Sequence, residues 1–169
     1  MLTGPSPIMT EFAPTIERSF LGEAPCAVDA QRRVAMPKNW RLASDTEDTH
    51  FFLIPGPQRT IQLVTSEHFQ RLMIRARAVA ISDPEESNRI SGLASHAQEI
   101  IPDKHGRFAI SPVLFQYAGL KDKAVMVGAL TFGRIMTPET WDLIKPPMDD
   151  CLKGLAIIEK SLAPTNTLL

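Results

Sequence analysis

"DKHGRFAIS", residues 103–111, places an acid and a base four positions apart around a glycine, directly before a short apolar run. An aspartate at the entrance of a turn accepts hydrogen bonds from backbone N–H groups two or three residues further on. Gly106 can take a positive φ at little cost. The stretch therefore predicts a turn shaped by Asp103 and Gly106. The side chains predicted to project from it are those of Lys104, His105 and Arg107.

Cations displayed on such a turn have two interpretations. The planar fork of arginine suits phosphate oxygens or the edge of a guanine, and a protonated His105 could also donate to a phosphate. The alternative is an ordinary surface turn with a local Asp–Arg pair, which contributes about 0–1 kcal/mol. A second copy of the same pattern favours the functional interpretation.

The second copy is "DAQRRVAMP", residues 29–37. Asp29 and Asp103 lie 74 positions apart (103 minus 29), and so do Arg33 and Arg107. Further along, "QLVTSEHF" at 62–69 aligns with "RIMTPETW" at 134–141, at an offset of 72 (134 minus 62). Each copy predicts a strand, the turn, a strand, a short helix, a hairpin and a helix. Two copies of so long a period indicate a pseudo-two-fold unit whose halves share one core.

Alternation, prolines and capping residues predict the individual elements. The predicted strands are 20–28, where Pro25 favours a sheet edge, 34–36, a hairpin over 50–64, the two flanks of the 103–107 turn, and a hairpin over 123–136. The predicted helices are one turn at 38–41, residues 67–81 after a Thr65 or Ser66 cap, residues 84–94 after Asp83, a short helix from Pro112 to a left-handed Gly119, and a helix capped by Thr137.

A last helix is predicted over 146–162. It carries one apolar stripe, formed by Met148, Leu152, Leu155, Ile158 and Leu162. Two interpretations remain open for this stripe: it packs on its own domain, or it makes a contact between subunits.

The predicted fold class is α+β, mainly β. The predicted organisation is a flexible N-terminal tail at 1–18, a first repeat at 19–66, connecting helices at 67–94, a second repeat at 95–138, and C-terminal helices and tail at 139–169.

The composition excludes several classes of protein. A formal net charge of −1 excludes histone-like binding by bulk charge. The chain has no apolar run near the roughly 20 residues of a membrane span, and its N-terminus lacks the pattern of a secretory signal. Two isolated cysteines give no disulfide framework, so we expect a reducing, cytoplasmic setting.

The sequence also lacks the motifs of enzymes. It contains no G-x-x-x-x-G-K-[ST] phosphate loop and no G-x-S-x-G elbow. Its four histidines show no ligand spacing. We therefore predict no catalytic residue, no metal, no cofactor and no small-molecule substrate.

The repeated turn, together with "SPVLFQYAGLKDKAVMVGALTFGRIMTPETW" (111–141), resembles the MraZ family of bacterial transcriptional regulators over about residues 19–145. The resemblance implies two SpoVT–AbrB-type halves in a swapped-hairpin β-barrel, and ring-like homo-oligomers associated with the nucleoid. It also implies binding of the D-x-x-x-R loops to direct repeats in double-stranded DNA, in the promoter of the division and cell-wall gene cluster, with repression as the expected effect. The residues that match the family motif are Asp29, Asp103, Arg33, Arg107 and Lys104.

The first copy departs from the family pattern. Ala30 replaces the lysine, and Arg32 replaces the glycine, which adds a cation beside Arg33. A left-handed Arg32 would carry a strain of roughly 1 kcal/mol. In the second copy, Ser111 replaces a proline and Phe115 stands where a cation is common.

Two functional hypotheses follow. The first is a sequence-specific regulator that contacts DNA through Arg33, Arg107, Lys104, Arg32 and His105, on loops shaped by Asp29, Asp103 and Gly106. The second is a ring-forming interaction protein of the same fold that has lost DNA specificity. An antitoxin-like binding module is disfavoured, because such modules usually carry one copy of the motif.

Overall fold

The computed structural model describes residues 18–79 and 82–162. Almost all of the predicted N-terminal tail, residues 80–81 and the C-terminal "APTNTLL" lie outside the described residues. The strands are β1 Glu23–Ala27, β2 Arg33–Ala35, β3 Phe51–Gly56, β4 Thr60–Thr65, β5 Gln98–Ile100, β6 Arg107–Ala109, β7 Lys123–Gly128 and β8 Gly133–Met136. The helices are a 3₁₀ turn Lys38–Trp40, α1 Ser66–Ala76, α2 Pro84–His96, α3 Pro112–Tyr117, α4 Pro138–Ile144 and α5 Met148–Leu162.

The strands form a six-stranded sheet in the order β1-β7-β8-β4-β3-β5 and a separate antiparallel ribbon of β2 and β6. The first strand before each turn pairs with the hairpin of the other half of the chain: β1 with β7, and β5 with β3. Two pairings join equivalent positions directly, Val34 to Phe108 and Gln62 to Arg134. The offsets of 74 and 72 in the sequence are therefore reproduced by the backbone pairing.

The expectation of a closed β-barrel is not met by this hydrogen bonding. Within the described residues the sheet ends at β1 on one side and at β5 on the other. Neither edge is suited to a further strand, since Pro25 removes a donor from β1 and the three-residue β5 ends two residues before Pro102. The structure is an α+β fold made of an open sheet, a ribbon and flanking helices.

The ribbon and the sheet share one core. Val34 and Phe108 point from the ribbon into the same buried cluster as Leu53 and Ile135 of the sheet. Trp40 belongs to this cluster and is fully buried, with its ring edge-on to Phe20 and its indole N–H donating to the carbonyl of Leu21 at 2.9 Å. The burial of Val34 and Phe108 in this cluster joins the ribbon to the sheet and leaves the opposite face of the ribbon toward solvent.

The predicted caps are confirmed. The side-chain oxygens of Thr65, Asp83, Ser111 and Thr137 each accept a backbone N–H in the first turn of α1, α2, α3 and α4 respectively. Gly119, with φ 64°, follows α3 in the left-handed conformation. These ends depend on local hydrogen bonds, which is why sequence patterns locate them well.

Two helix predictions need correction. The helix expected to reach residue 81 ends at Ala76, where the N–H of Arg77 bonds to the carbonyls of Met73 and Arg75 and closes a tight turn. No residue of α1 is buried, so tertiary packing does not extend the helix beyond that turn. The helix after Asp83 continues past Ala94 to His96.

The last helix, α5, is exposed along its whole length, including the apolar stripe. The stripe therefore does not pack on the described part of its own domain.

Gly128 offers a test of the sheet edge, because a Cβ there would lie 2.3 Å from the carbonyl oxygen of Phe20. The substitution Gly128→Ala should lower the free energy of unfolding by about 1–3 kcal/mol, since backbone must move to relieve the clash. The matched control is Gly92→Ala on α2, where a Cβ meets nothing within 4 Å and stability should rise by about 0.5–1 kcal/mol. Chemical denaturation measures both. Equal stabilities for the two variants would contradict the close approach.

Candidate nucleic-acid interface

Loop 1, residues 29–33, is organised by its aspartate. The carboxylate Oδ1 of Asp29 accepts the N–H groups of Gln31 at 2.9 Å and Arg33 at 2.8 Å. The backbone of Asp29 bonds to that of Arg33 at 3.1 Å and to that of Arg32 at 3.0 Å. Arg32 has φ 58°, so it takes the left-handed conformation expected if it replaces a glycine, together with the strain of roughly 1 kcal/mol.

Loop 2, residues 103–107, repeats this hydrogen-bond pattern. Oδ1 of Asp103 accepts the N–H groups of His105 at 2.8 Å and Arg107 at 2.9 Å. The N–H of Asp103 donates to the carbonyl of Arg107, and that of Gly106 donates to the carbonyl of Asp103, both at 2.9 Å. Gly106 has φ 79°. Both loops are thus rigid turns whose aspartates are engaged with the backbone.

The ribbon places the two motif arginines on one face. Arg33 lies opposite Ala109, and Arg107 lies opposite Ala35. Because side chains alternate across a strand, these four residues share the outer face. Arg107 lies two residues along β6 from Ala109, the residue opposite Arg33. At ordinary strand spacings the Cα atoms of the two arginines are therefore roughly 8–9 Å apart. A pair of guanidinium groups at this spacing can contact neighbouring phosphates or a base edge and a phosphate.

The cations of the two loops differ in their contacts. Arg33 Nε donates to Oδ2 of its own Asp29 at 2.7 Å, so the local Asp–Arg pair forms in loop 1. Arg32 Nε donates to the carbonyl of Ile110 at 3.1 Å. Within the described residues, the side chains of Lys104, His105 and Arg107 make no hydrogen bond or ion pair, and all three are exposed.

The turn hydrogen bonds set the charge state of both aspartates. The backbone N–H of Arg33 is the main cause that lowers the pKa of Asp29, followed by the Arg33 guanidinium. The backbone N–H of Arg107 is the main cause that lowers the pKa of Asp103. Both carboxylates are therefore ionised at neutral pH, and the adjoining cations are needed to make either loop attractive to an anion.

Arg41 is a residue of this site that the sequence reasoning missed. Its Nη1 lies 3.3 Å from the carbonyl oxygen of Lys104, and its guanidinium lies under Gly106. The signal that could have revealed it is the offset of 74, which maps position 41 onto Phe115, where the family resemblance implies a cation. The arginine at position 41 thus stands at the position equivalent to Phe115 of the second copy.

Other kinds of site receive no support from the described residues. In residues 18–79 and 82–162, no group of three or more His, Cys, Asp or Glu side chains is arranged to hold a metal ion. No helix there has the length and apolar character needed to cross a membrane.

Comparison with known proteins places the chain in a family, although no protein-family model matches it. The transcriptional regulator MraZ of Thermomicrobium roseum is 30% identical over 122 residues, which cover 72% of this chain and 84% of that protein. The MraZ regulator of Shewanella denitrificans is 31% identical over 133 residues, 78% of this chain and 86% of that protein. The chain belongs to the MraZ family. The MraZ regulator of Shewanella frigidimarina is 26% identical over 152 residues and covers 89% of the chain. The resemblance drawn from the repeated turn is confirmed at the level of the family.

The Asp103 carboxylate gives a pH test of loop 2 in this MraZ-family chain. Its folded pKa lies below the ordinary value of about 3.9, so its stabilisation of the turn is complete above that value and is lost as pH falls through the folded pKa. The amide proton shifts of His105 and Arg107 should titrate together, with a midpoint below the ordinary value. The change Asp103→Asn should abolish that titration. If the midpoint stayed at or above 3.9, the carboxylate would not be holding the turn.

Proposed function

We propose that this MraZ-family protein is a DNA-binding transcriptional regulator and that the outer face of the β2–β6 ribbon contacts double-stranded DNA. The observation that carries the proposal is the placement of Arg33 and Arg107 on one exposed face, each beside a rigid Asp-shaped turn. The names of the relatives, all transcriptional regulators, support the same conclusion. No enzymatic role is part of the proposal.

The finer features follow the family resemblance. The proposed target is a set of direct repeats in the promoter of the division and cell-wall gene cluster, with repression as the outcome, in the nucleoid of the bacterial cytoplasm. The exchange of β1 and β5 between the two halves supports two SpoVT–AbrB-like repeats, 19–66 and 95–138, in the swapped-hairpin arrangement. The connecting helices and the C-terminal helices flank this unit.

Affinity in this proposal comes from several subunits acting together. Each loop has few cations, so one subunit should bind weakly, whereas several loops meeting repeated sites gain an effective concentration worth about 10²–10⁴ in affinity. The large exposed apolar side chains on three helices support a homo-oligomeric ring, because groups of such side chains are a feature of contact surfaces. They are Leu72, Met73 and Ile74 on α1, Ile90 and Leu93 on α2, and Leu152, Leu155 and Ile158 on α5.

A second candidate function is a ring-forming interaction protein with weakened DNA specificity. The observation that favours it is the Asp29–Arg33 ion pair, which partly neutralises one of the two motif arginines. Retention of loop 2 with exposed Lys104 and Arg107 side chains favours the regulator.

The double variant Arg33→Ala plus Arg107→Ala tests the DNA-binding face. Its affinity for DNA from upstream of its own gene should fall at least tenfold, since each good arginine contact discriminates by about 1–3 kcal/mol. The slope of log K against log salt should shrink by about 0.9 for each phosphate contact removed. Fluorescence anisotropy at two salt concentrations, with a scrambled duplex for comparison, measures both.

The matched control is Arg75→Ala plus Arg89→Ala, which removes the same charge from exposed helical positions away from the ribbon. It should bind as the wild type does. Normal affinity in the ribbon variant, or an equal loss in the control, would sink the proposed face. Feeble and equal binding of both duplexes by the wild type would favour the interaction protein.

The α5 stripe tests the assembly. Leu152→Ser plus Leu155→Ser should lower the mass of the oligomer measured by light scattering, because both side chains are exposed and apolar. Lys153→Ser plus Lys160→Ser changes helix propensity equally on the opposite side of α5 and should leave the mass unchanged. An unchanged mass in the leucine variant would exclude the stripe as an assembly element.

A further inference from the structure

We infer that the two loops contribute unequally to DNA affinity, that loop 2 carries the larger share, and that Arg41 is its positioning residue. This inference rests on the proposed function, and it assigns different roles to two loops with the same motif. The formal charge does not distinguish them, since each loop has one aspartate and two permanent cations. The difference lies in what those cations already contact.

In loop 1 both arginines are engaged. Arg33 must give up a charged hydrogen bond to Asp29 before its Nε can reach a phosphate. Arg32 is half-buried, and its Nε holds the carbonyl of Ile110. In loop 2, Lys104 and Arg107 are exposed and make no side-chain contact of this kind in the described part of the chain. Loop 2 can therefore bind an anion without losing a contact of its own.

Loop 2 depends on support from the first half of the chain. Its backbone is joined to the ribbon by the N–H of Met36, which donates to the carbonyl of Gly106 at 2.8 Å. On the other side it borders a groove of about 880 Å³, lined by Arg41, Leu42, Phe51, Ile101, Asp103 and Lys104. Arg41 stands between this groove and the loop, and its Nη1 donates to the Lys104 carbonyl.

The guanidinium of Arg41 fits against the buried Gly106. A Cβ added to Gly106 would lie 3.2 Å from both Cζ and Nε of Arg41. Its Nε is buried and has no hydrogen-bond partner among the described residues. A buried donor without a partner is destabilising, so the packing of Arg41 against Gly106 and its bond to the Lys104 carbonyl must offset that cost.

The two loops carry different residues at the positions that the pseudo-two-fold relation makes equivalent. The counterpart of Gly106 is Arg32, and the counterpart of Arg41 is Phe115. Loop 1 thus carries its arginine within the loop and is held by that arginine to Ile110. Loop 2 has a glycine at that position, and the arginine that contacts it is Arg41, which lies outside the loop. Removal of the Arg41 guanidinium should therefore disturb loop 2 and leave loop 1 in place.

The experiment is a double-mutant cycle on the full-length protein with upstream DNA. Arg107→Ala should weaken binding about tenfold or more, and Arg33→Ala about threefold or less. Arg41→Met should weaken binding about fivefold alone and in the Arg33→Ala background, but less than twofold in the Arg107→Ala background. Arg41 contacts the loop that carries Arg107, and the effects of residues coupled in this way are not additive. Arg41→Lys keeps the charge without the planar fork and should not restore wild-type affinity.

A DNA-free readout separates the two proposals. Amide hydrogen exchange in the Arg41→Met variant should become faster at residues 103–107 and stay unchanged at 29–33. Three results would overturn the positioning role of Arg41. They are unchanged exchange in loop 2, wild-type DNA affinity in Arg41→Lys, and an undiminished loss of affinity from Arg41→Met in the Arg107→Ala background. A loss of DNA affinity from Arg33→Ala equal to that from Arg107→Ala would overturn the unequal contribution of the two loops.

Failure of the wild type to prefer upstream DNA would instead defeat the proposed function. The hydrogen-exchange result would still decide the role of Arg41.

Discussion

The antiparallel pairing of β2 with β6 is the interaction on which the proposed site depends. These strands have three residues each, too few for independent stability, so the pairing persists because Val34 and Phe108 are buried in the common core. It is closed at both ends by equivalent bonds: Met36 N–H to the Gly106 carbonyl, and Ile110 N–H to the Arg32 carbonyl. Each bond joins one half of the chain to the residue that precedes the arginine in the other half.

The exchange of strands extends the same dependence to the sheet. Neither half can complete its own pairing, because β1 needs the hairpin of the second half and β5 needs that of the first. A repeat along the sequence thereby becomes a two-fold relation in space, which brings two turns 74 positions apart to opposite ends of one ribbon. That relation holds for the backbone and not for the side chains. The chain can thus keep one framework while the contacts of its two loops diverge.

Local features of this chain were predictable, and non-local ones much less so. Asp83, Thr137 and Gly119 act on backbone groups a few residues away, so their patterns predict the correct helix ends. The turns shaped by Asp29 and Asp103 were predicted for the same reason. The open sheet and the solvent-exposed α5 depend on long-range packing that no local pattern contains. Equal Asp–Arg spacing likewise could not show that the ion pair forms in loop 1 and not in loop 2, where the guanidinium of Arg41 lies beneath the turn.

The most direct test of the account is a hydrogen-exchange footprint of the full-length protein with and without DNA from upstream of its own gene. The ribbon face should be the surface that DNA covers, so added protection is predicted at residues 29–35 and 103–109, stronger in the second segment, and absent with a scrambled duplex. Protection confined to α1, α2 or α5, or equal protection by both duplexes, would contradict the claim that the β2–β6 ribbon contacts DNA.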